Sequence, residues 1–540
     1  MSVMAYMPYG AGGIIIRVET DIRRGIPGVD ISGLAEGAVR EARERVRAAF
    51  RNSGFKFPQD RVLINLAPAG LKKDGASLDL PIALSVMGAA ELAPVPENLL
   101  VMGELELSGR IRPVRGVIAA IAEGLSNGIT EFIVPAENAG EAAILAGKQN
   151  KNGANFTAAE TLQEAVNALF VREETGTLPI SQKAAGSPVA LNGTNFAGNF
   201  SGDFADVQGQ AIYKRAMEIA AAGGHNALVF GPPGAGKTML ARRLPSIMAP
   251  LTPNEAVEVT RLHSLAGPVL SGNGGESGFI DRLVTHPQMR SPHHSASAEG
   301  VLGGGRNPRP GEISLAHFGV LYLDEAPQFR INVLQALREP LEDKIISISR
   351  AEGPVHLPAE FQLLMTANAC PCGKLGMKNS DTACFCSPEE VNRYWRRFGG
   401  ALLDRVEIRA AVLPPKIGEM RGHSAGAGQE EKSAVIAERV RAAVEIQRHR
   451  YKGTDIRRNV MLPAGLVHKL CSMNEKAENA FYKAVSKLGL SGRAYHGVLR
   501  VARTIADLEG KEIMEVEHIL EAVHHRRQGE DPWEILNMLC

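Results

Sequence analysis

Residues 225–238, His-Asn-Ala-Leu-Val-Phe-Gly-Pro-Pro-Gly-Ala-Gly-Lys-Thr, constrain the fold of this chain more than any other stretch. Ala227 to Phe230 is a short apolar run that reads as a buried parallel strand. Gly231, Pro232, Pro233, Gly234, Ala235, Gly236, Lys237 and Thr238 follow at once, and Met239 to Leu244 can continue as a helix. Strand, glycine-rich turn and helix in that order form the setting of a phosphate-binding loop. Glycines let the backbone approach phosphate oxygens, and the N–H groups of such a turn converge on an anion. The helix N-terminus adds a partial positive charge. Lys237 would reach the β- and γ-phosphates of bound ATP, and Thr238 would hold Mg2+. The competing explanation is a glycine-rich turn that matches by chance, which the flanking strand and helix disfavour.

A second strand supplies carboxylates. Val320-Leu-Tyr-Leu is apolar and delivers Asp324 and Glu325 at its C-terminal end, where α/β sheets place their sites. Asp324 is expected to serve Mg2+ and Glu325 to polarise the attacking water. Phe361 to Met365 is a further apolar strand that runs out to Asn368, a polar side chain suited to orienting that water. Between the two strands, Lys344 to Phe361 alternates like a hairpin, with Arg350 and Glu352 at its tip. Asp206 to Gln210 precedes a helix from Ala211 to Ala222 and is either a base contact or a helix cap. Thr252-Pro-Asn-Glu255 and Ser387-Pro-Glu-Glu390 are capping-box helix starts. Residues 263–312 are rich in Gly, Ser, Pro and His and read as a long loop. Its Arg282, Arg290, Arg306 and Arg309 suit phosphate contact without base reading, and His293 and His294 are a weak metal signal.

The 540 residues carry a net charge of +1, so any nucleic-acid surface must be local. Hydrophobic content of 44% and charged content of 22% are ordinary for a soluble protein of about three domains. No stretch approaches the length of a membrane span, and the first residues lack the pattern of a signal peptide, so a cytoplasmic location is expected.

The first third alternates strands and helices. A first strand is expected at Ile14–Val18, an amphipathic helix at Ala35–Arg51, and an apolar helix at Leu78–Leu92. Lys73-Asp-Gly-Ala-Ser77 resembles the segment around the nucleophilic serine of Lon-type proteases. The lysine that such a serine requires would fall at Ile118, which cannot take a proton. The expectation is a Lon-like fold without a peptidase dyad, unless Lys72, Lys73 or Arg115 substitutes. Residues 176–203 have a linker composition.

Cys370-Pro-Cys372 and Cys384-Phe-Cys386 could close a tetrahedral zinc site. Disulfides and unligated thiols are the alternatives. Beyond them, Arg405 follows a helix end, and Lys432–Arg450, Leu462–Ser472, Asn474–Leu488, Ser491–Glu509 and Val516–Arg527 read as a helical bundle. Arg493 lies at the start of one of these helices.

Taken together, Ile64-Asn-Leu-Ala-Pro-Ala69, Leu78-Asp-Leu-Pro-Ile-Ala-Leu84, His225–Thr238, Pro292-His-His294, Leu323-Asp-Glu325, Leu337-Arg-Glu-Pro-Leu-Glu342, Cys370-Pro-Cys-Gly373, Leu402-Leu-Asp-Arg405 and Leu490-Ser-Gly-Arg-Ala-Tyr-His496 resemble the ComM/YifB-type magnesium-chelatase-like AAA+ ATPases. Ala369, Gly399, Ala401 and Glu407 depart from the usual pattern. The resemblance implies an α/β fold in four parts: a Lon-protease-like (S5-like) α+β domain over 1–172, a linker over 173–204, an AAA+ core with a parallel sheet over 205–415, and an all-α lid over 430–540. It further implies a homo-hexamer, Arg405 as an arginine finger, Arg493 as a second sensor reaching the phosphates from the lid, and a DNA helicase driving branch migration in natural transformation. A chelatase-like or protein-remodelling motor, or an ATP-switched adaptor, is the alternative.

Overall fold

Two sheets organise the chain, and the register of short apolar strands sets both. The computed structural model describes all residues except 36, 74, 147–152, 180–201, 268–281, 351–352, 377–383, 415–429 and 528–540.

In the first sheet, β1 (Ser2–Tyr9) pairs antiparallel with β2 (Gly12–Arg23). The strand expected at Ile14–Val18 is thus the second; the small and sulfur-bearing residues of β1 carry little β-propensity, although Val3, Ala5 and Met7 are buried. With β3 (Gly28–Ser32), β4 (Arg61–Ala67) and β5 (Leu99–Val101), a small hairpin β6 (Glu104–Leu105) and β7 (Ile111–Arg112) follows, then β8 (Glu131–Pro135) and β9 (Asn155–Ala159). The seven-stranded order is β3-β4-β2-β1-β5-β8-β9. Helices Gly37–Asn52 and Asp79–Ala89 bury Val39, Val46, Leu80 and Leu84 on one face of this sheet. Helix Val117–Ser126 buries Val117 and Ile121 with Tyr6 and Phe132 on the other.

Asp79 opens its helix fully buried. Arg45 grips it with two bonds, Nε to Oδ2 at 2.7 Å and Nη2 to Oδ1 at 2.9 Å. Ile118 is fully buried and its N–H donates to Glu141 Oε1 at 2.8 Å. Lys73, one of the three alternative bases, donates its ammonium to the Pro68 carbonyl. The helix Leu162–Thr175 runs past the boundary expected at 172, because Gly176 at φ 79° is what ends it. Most of the expected linker lies outside the described residues.

The second sheet is parallel throughout: β10 (Ala227–Phe230), β11 (Met289–Arg290), β14 (Val320–Leu323), β17 (Gln362–Ala367) and β18 (Ile408–Ala411) in the order β11-β14-β17-β10-β18. Between them lie the hairpins β12 (Gly303–Gly304) with β13 (Arg309–Pro310), and β15 (Ile345–Ile348) with β16 (Val355–Pro358). Glu352, expected at the tip of the second hairpin, lies outside the described residues. The helix after the phosphate loop covers only Lys237–Ala241, not Met239–Leu244; Pro245 disfavours helix at the residue before it, and a 3-10 turn over Leu244–Ile247 follows.

The expected long loop at 263–312 is a correction. Its described part contains the end of helix Pro253–Ala266, β11, helix Ala298–Leu302, β12, β13 and helix Glu312–Leu315. Arg290 is committed to a bidentate pair with Glu312 at 2.7 and 2.9 Å, not free for phosphate. Helices Ser433–Arg450, Ala464–Leu470, Glu475–Leu488, Gly492–Leu508 and Val516–Arg527 pack with helix Ala211–Gly223 in one apolar cluster. Among the described residues no helix is long and apolar enough to cross a membrane.

Asp79→Ala would strand the Arg45 guanidinium over an apolar helix start. We expect a loss of about 3 kcal/mol in the first sheet unit. Hydrogen exchange in helix Asp79–Ala89 of the full chain reads it, and unchanged protection would contradict the assignment.

Candidate active site

β17 lies between β10 and β14, so the strand ends that carry the phosphate loop, Asn368 and Asp324 emerge side by side. A side chain at Gly231 would overlap the Val412 carbonyl, whose oxygen is 2.0 Å from where a Cβ would sit. Gly236, at φ 83°, takes the left-handed turn that starts the helix at Lys237. Gln210 donates to the carbonyls of Ala235 at 3.2 Å and Leu413 at 2.7 Å, which sets the segment before helix Ala211–Gly223 against the phosphate loop. Tyr213 OH donates to the Lys237 carbonyl at 2.8 Å from the same helix.

The Lys237 ammonium donates to Gly231 O and Pro232 O at 2.8 Å each and to Asn368 Oδ1 at 3.2 Å. All three acceptors are neutral, and among the described residues no carboxylate is in ion-pair contact with it. Burial pushes its pKa down to about 8, against the opposing pull of Asp324 and Glu325. A polyphosphate would supply the missing counter-charge. Thr238 Oγ1 stands 3.3 and 3.2 Å from the two Asp324 oxygens. A hydroxyl and a carboxylate side by side are the hard oxygen donors that Mg2+ takes. The residues present therefore fit a magnesium nucleotide.

Thr366 is the residue that sequence reasoning passes over. Its Oγ1 donates to Asp324 Oδ1 at 2.6 Å and accepts from the Glu325 N–H at 3.1 Å, so one β17 hydroxyl fixes both carboxylates of β14. A threonine at a strand end gives no signal for this in the sequence. Glu325 adopts a left-handed backbone, φ 50°, a conformation costly for a residue with a side chain. Its carboxylate accepts from Gln328.

Arg405 and Arg493 do not join this group. The Arg405 carbonyl accepts from Asn226 Nδ2 at 2.9 Å, and Asn226 precedes β10 at the end opposite the phosphate loop. The Arg405 guanidinium pairs with Glu342 at 2.7 Å, and Arg493 pairs with the same carboxylate. Arg493, expected as a second sensor reaching the phosphates from the lid, thus sits at the sheet end opposite the phosphate loop. The helix Gly492–Leu508 docks at the far end of the sheet, where Ser491 bonds Asp404 at 3.1 Å and a Cβ at Gly497 would lie 3.5 Å from Glu407 Cγ.

Cys370, Cys372, Cys384 and Cys386 bring their sulfurs within 4.8 Å of one another, the one group of this kind among the described residues. His293 and His294 stack on each other, and His293 Nδ1 bonds Ser295 Oγ at 2.7 Å.

A parallel sheet with a phosphate loop, a paired acidic strand end and a polar strand between them defines an AAA+-type ATPase. Profiles described as "Magnesium chelatase, subunit ChlI", "Subunit ChlI of Mg-chelatase" and "Magnesium chelatase, subunit ChlI C-terminal" match residues 203–420, 18–138 and 430–526. The chain is 38% identical over 522 residues to competence protein ComM of Haemophilus influenzae, covering 96% of this chain and 95% of that one. It is 39% identical over 513 residues to YifB of Salmonella typhimurium, covering 95% and 94%. Lon protease 2 of Bacillus subtilis is 30% identical over 146 residues, 27% of this chain and 25% of that one. The chain belongs to the ComM/YifB-type magnesium-chelatase-like family, whose AAA+ fold implies ATP and Mg2+.

Glu325→Gln should retain ATP while turnover falls on the order of a hundredfold or more; unchanged turnover would remove Glu325 from the reaction. Lys237 gives a second test. Its folded pKa lies below the ordinary lysine value, so the free protein loses this charge as pH rises through about 8. Bound phosphate restores the charge, so ATP affinity should fall about tenfold per pH unit above that point, with proton uptake on binding. Calorimetry in buffers of different ionisation heat measures it.

Proposed function

We propose that this protein is an ATP-driven DNA translocase that works as a hexameric ring, a helicase driving branch migration on recombination intermediates in natural transformation. One observation carries the reading. β16 runs into β17 with only Ala359 to Phe361 between them, and β17 ends at the Asn368 region. The nucleotide sensor and the hairpin β15–β16 are therefore one continuous piece of backbone. The hairpin carries Arg350, which donates to the Gly305 carbonyl in the turn between β12 and β13. Two hairpins, bearing Arg306, Arg309 and Arg350, are thus tied together on the side of the sheet fed by the sensor strand. Arginines on a glycine-rich backbone suit phosphate contact without base reading. Similarity to a relative named as a competence protein supports placing the activity in DNA uptake.

Hydrolysis follows from the site. Lys237 would neutralise phosphate charge, and Thr238 with Asp324 would hold Mg2+. Bound Mg2+ would neutralise charge on the β- and γ-oxygens. Glu325 orients the attacking water and draws its proton, and Asn368 fixes the water from the neighbouring strand. Its Oδ1 also reports the state of Lys237 to the hairpin strand. Arg405 and Arg493, at the opposite sheet end, serve the nucleotide of an adjoining copy, where an arginine stabilises charge on the transferred phosphoryl group.

Purified protein with Holliday-junction DNA and ATP tests the reading. We expect strand exchange, and ATP turnover that rises with DNA. DNA affinity should fall on the order of a thousandfold between 50 and 200 mM salt. Turnover indifferent to DNA, with no strand exchange, would leave a chelatase-like or remodelling motor. Arg405→Ala subunits mixed in as a minority should lower turnover more than in proportion; a proportional loss would argue against action between copies.

A further inference from the structure

The geometry points to a tetrathiolate zinc site at Cys370, Cys372, Cys384 and Cys386 that clamps Asn368 onto the phosphate loop, so that zinc occupancy controls nucleotide handling. The control rests on the ATP-site reading above; the zinc site itself does not.

The sulfur spacing fits one ion. Cys370 Sγ lies 3.3 Å from Cys372 Sγ and 3.5 Å from Cys384 Sγ, and Cys372 to Cys384 is 3.5 Å. A disulfide needs about 2.05 Å, and these thiols are free. Zinc–sulfur bonds of about 2.3 Å in a tetrahedron put the sulfurs about 3.8 Å apart. With all four within 4.8 Å, there is room for a single soft ion and not for a multi-iron cluster. The backbone is shaped for it too. Gly373 N–H closes a turn on Cys370 O at 3.1 Å, and the Lys374 N–H points at Cys372 Sγ at 3.5 Å. Amide bonds to sulfur are the outer support a thiolate-bound metal uses to spread its charge. Each thiol that ligates gives its proton to solvent as zinc binds.

The loop is fastened to the nucleotide site at both ends. It leaves β17 directly after Asn368. Gly373, left-handed at φ 76°, lies on the phosphate loop: a Cβ there would sit 3.5 Å from Pro233 Cδ and 3.8 Å from Asn368 Nδ2. The chain returns as helix Pro388–Trp395. The Trp395 Nε1–H donates to Ala369 O at 3.1 Å, and its ring packs edge-on against Phe230, the last residue of the phosphate-loop strand, with centroids 5.4 Å apart. A metal that closes the loop between these anchors holds Asn368 at its 3.2 Å contact with Lys237. Release of the metal frees Gly373 from Pro233 and lets Asn368 withdraw.

The full-length protein, purified under reducing conditions from zinc-supplemented cells, provides the test. Elemental analysis should find one zinc per chain, and cobalt substitution should give the strong visible bands of a tetrahedral thiolate site. Releasing zinc with a thiol reagent, then removing the reagent, should lower DNA-free ATP turnover and nucleotide affinity at least about tenfold. Added zinc should restore both. Protein without zinc, or with iron in its place, overturns the site. Zinc that leaves with turnover and nucleotide affinity unchanged overturns the control. Cys386→His, which keeps a ligand, should retain zinc and guards against reading a misfolded serine variant as support. Zinc bound in a protein that never hydrolyses ATP would instead sink the ATPase reading, and nucleotide affinity would still decide the control.

Discussion

The Asp324 carboxylate is the interaction on which the rest of this structure depends. It takes the Thr366 hydroxyl from the strand beside it and the Thr238 hydroxyl from the helix that follows the phosphate loop of β10. Three parallel strands are thereby tied at their C-terminal ends by side chains as well as by the ladder. Both threonine hydroxyls donate to the carboxylate, so its charge is held by hydrogen bonds from two sides. The left-handed backbone at Glu325 is tolerable because Thr366 holds its N–H.

The phosphate loop and the acidic strand end are legible in the sequence because each is local: apolar run, turn chemistry and helix start sit within a few residues. The capping boxes at Thr252 and Ser387 are legible for the same reason, and both form as read. The hairpin β15–β16 follows from alternation alone, with Ile346 facing Leu357. Residues 263–312 resist reading because strands of two residues, such as β11 and β12, take their shape from distant partners. The placing of Arg405 and Arg493 resists it for a different reason. Glu342, which gathers both, comes from a helix far from either in sequence, and no local pattern announces a meeting of that kind.

The sheet also has two chemically distinct ends. One holds a lysine that, among the described residues, has no contacting counter-charge, beside carboxylates and hydroxyls. The other holds two arginines on one carboxylate. Each end lacks what a triphosphate carries, and the two lie at opposite ends of the parallel strands. That polarity is set by the parallel strand order.

Glu141 carries a final consequence. Its carboxylate receives the Ile118 N–H, the Asn138 side chain at 3.1 Å and the Ser264 hydroxyl from helix Pro253–Ala266 of the other sheet unit. The start of helix Val117–Ser126 and helix Pro253–Ala266 thus meet on one buried carboxyl group. Separating the two units there would strip the Ser264 hydroxyl from a buried carboxyl group that also holds the start of helix Val117–Ser126, so one side chain couples the two sheets.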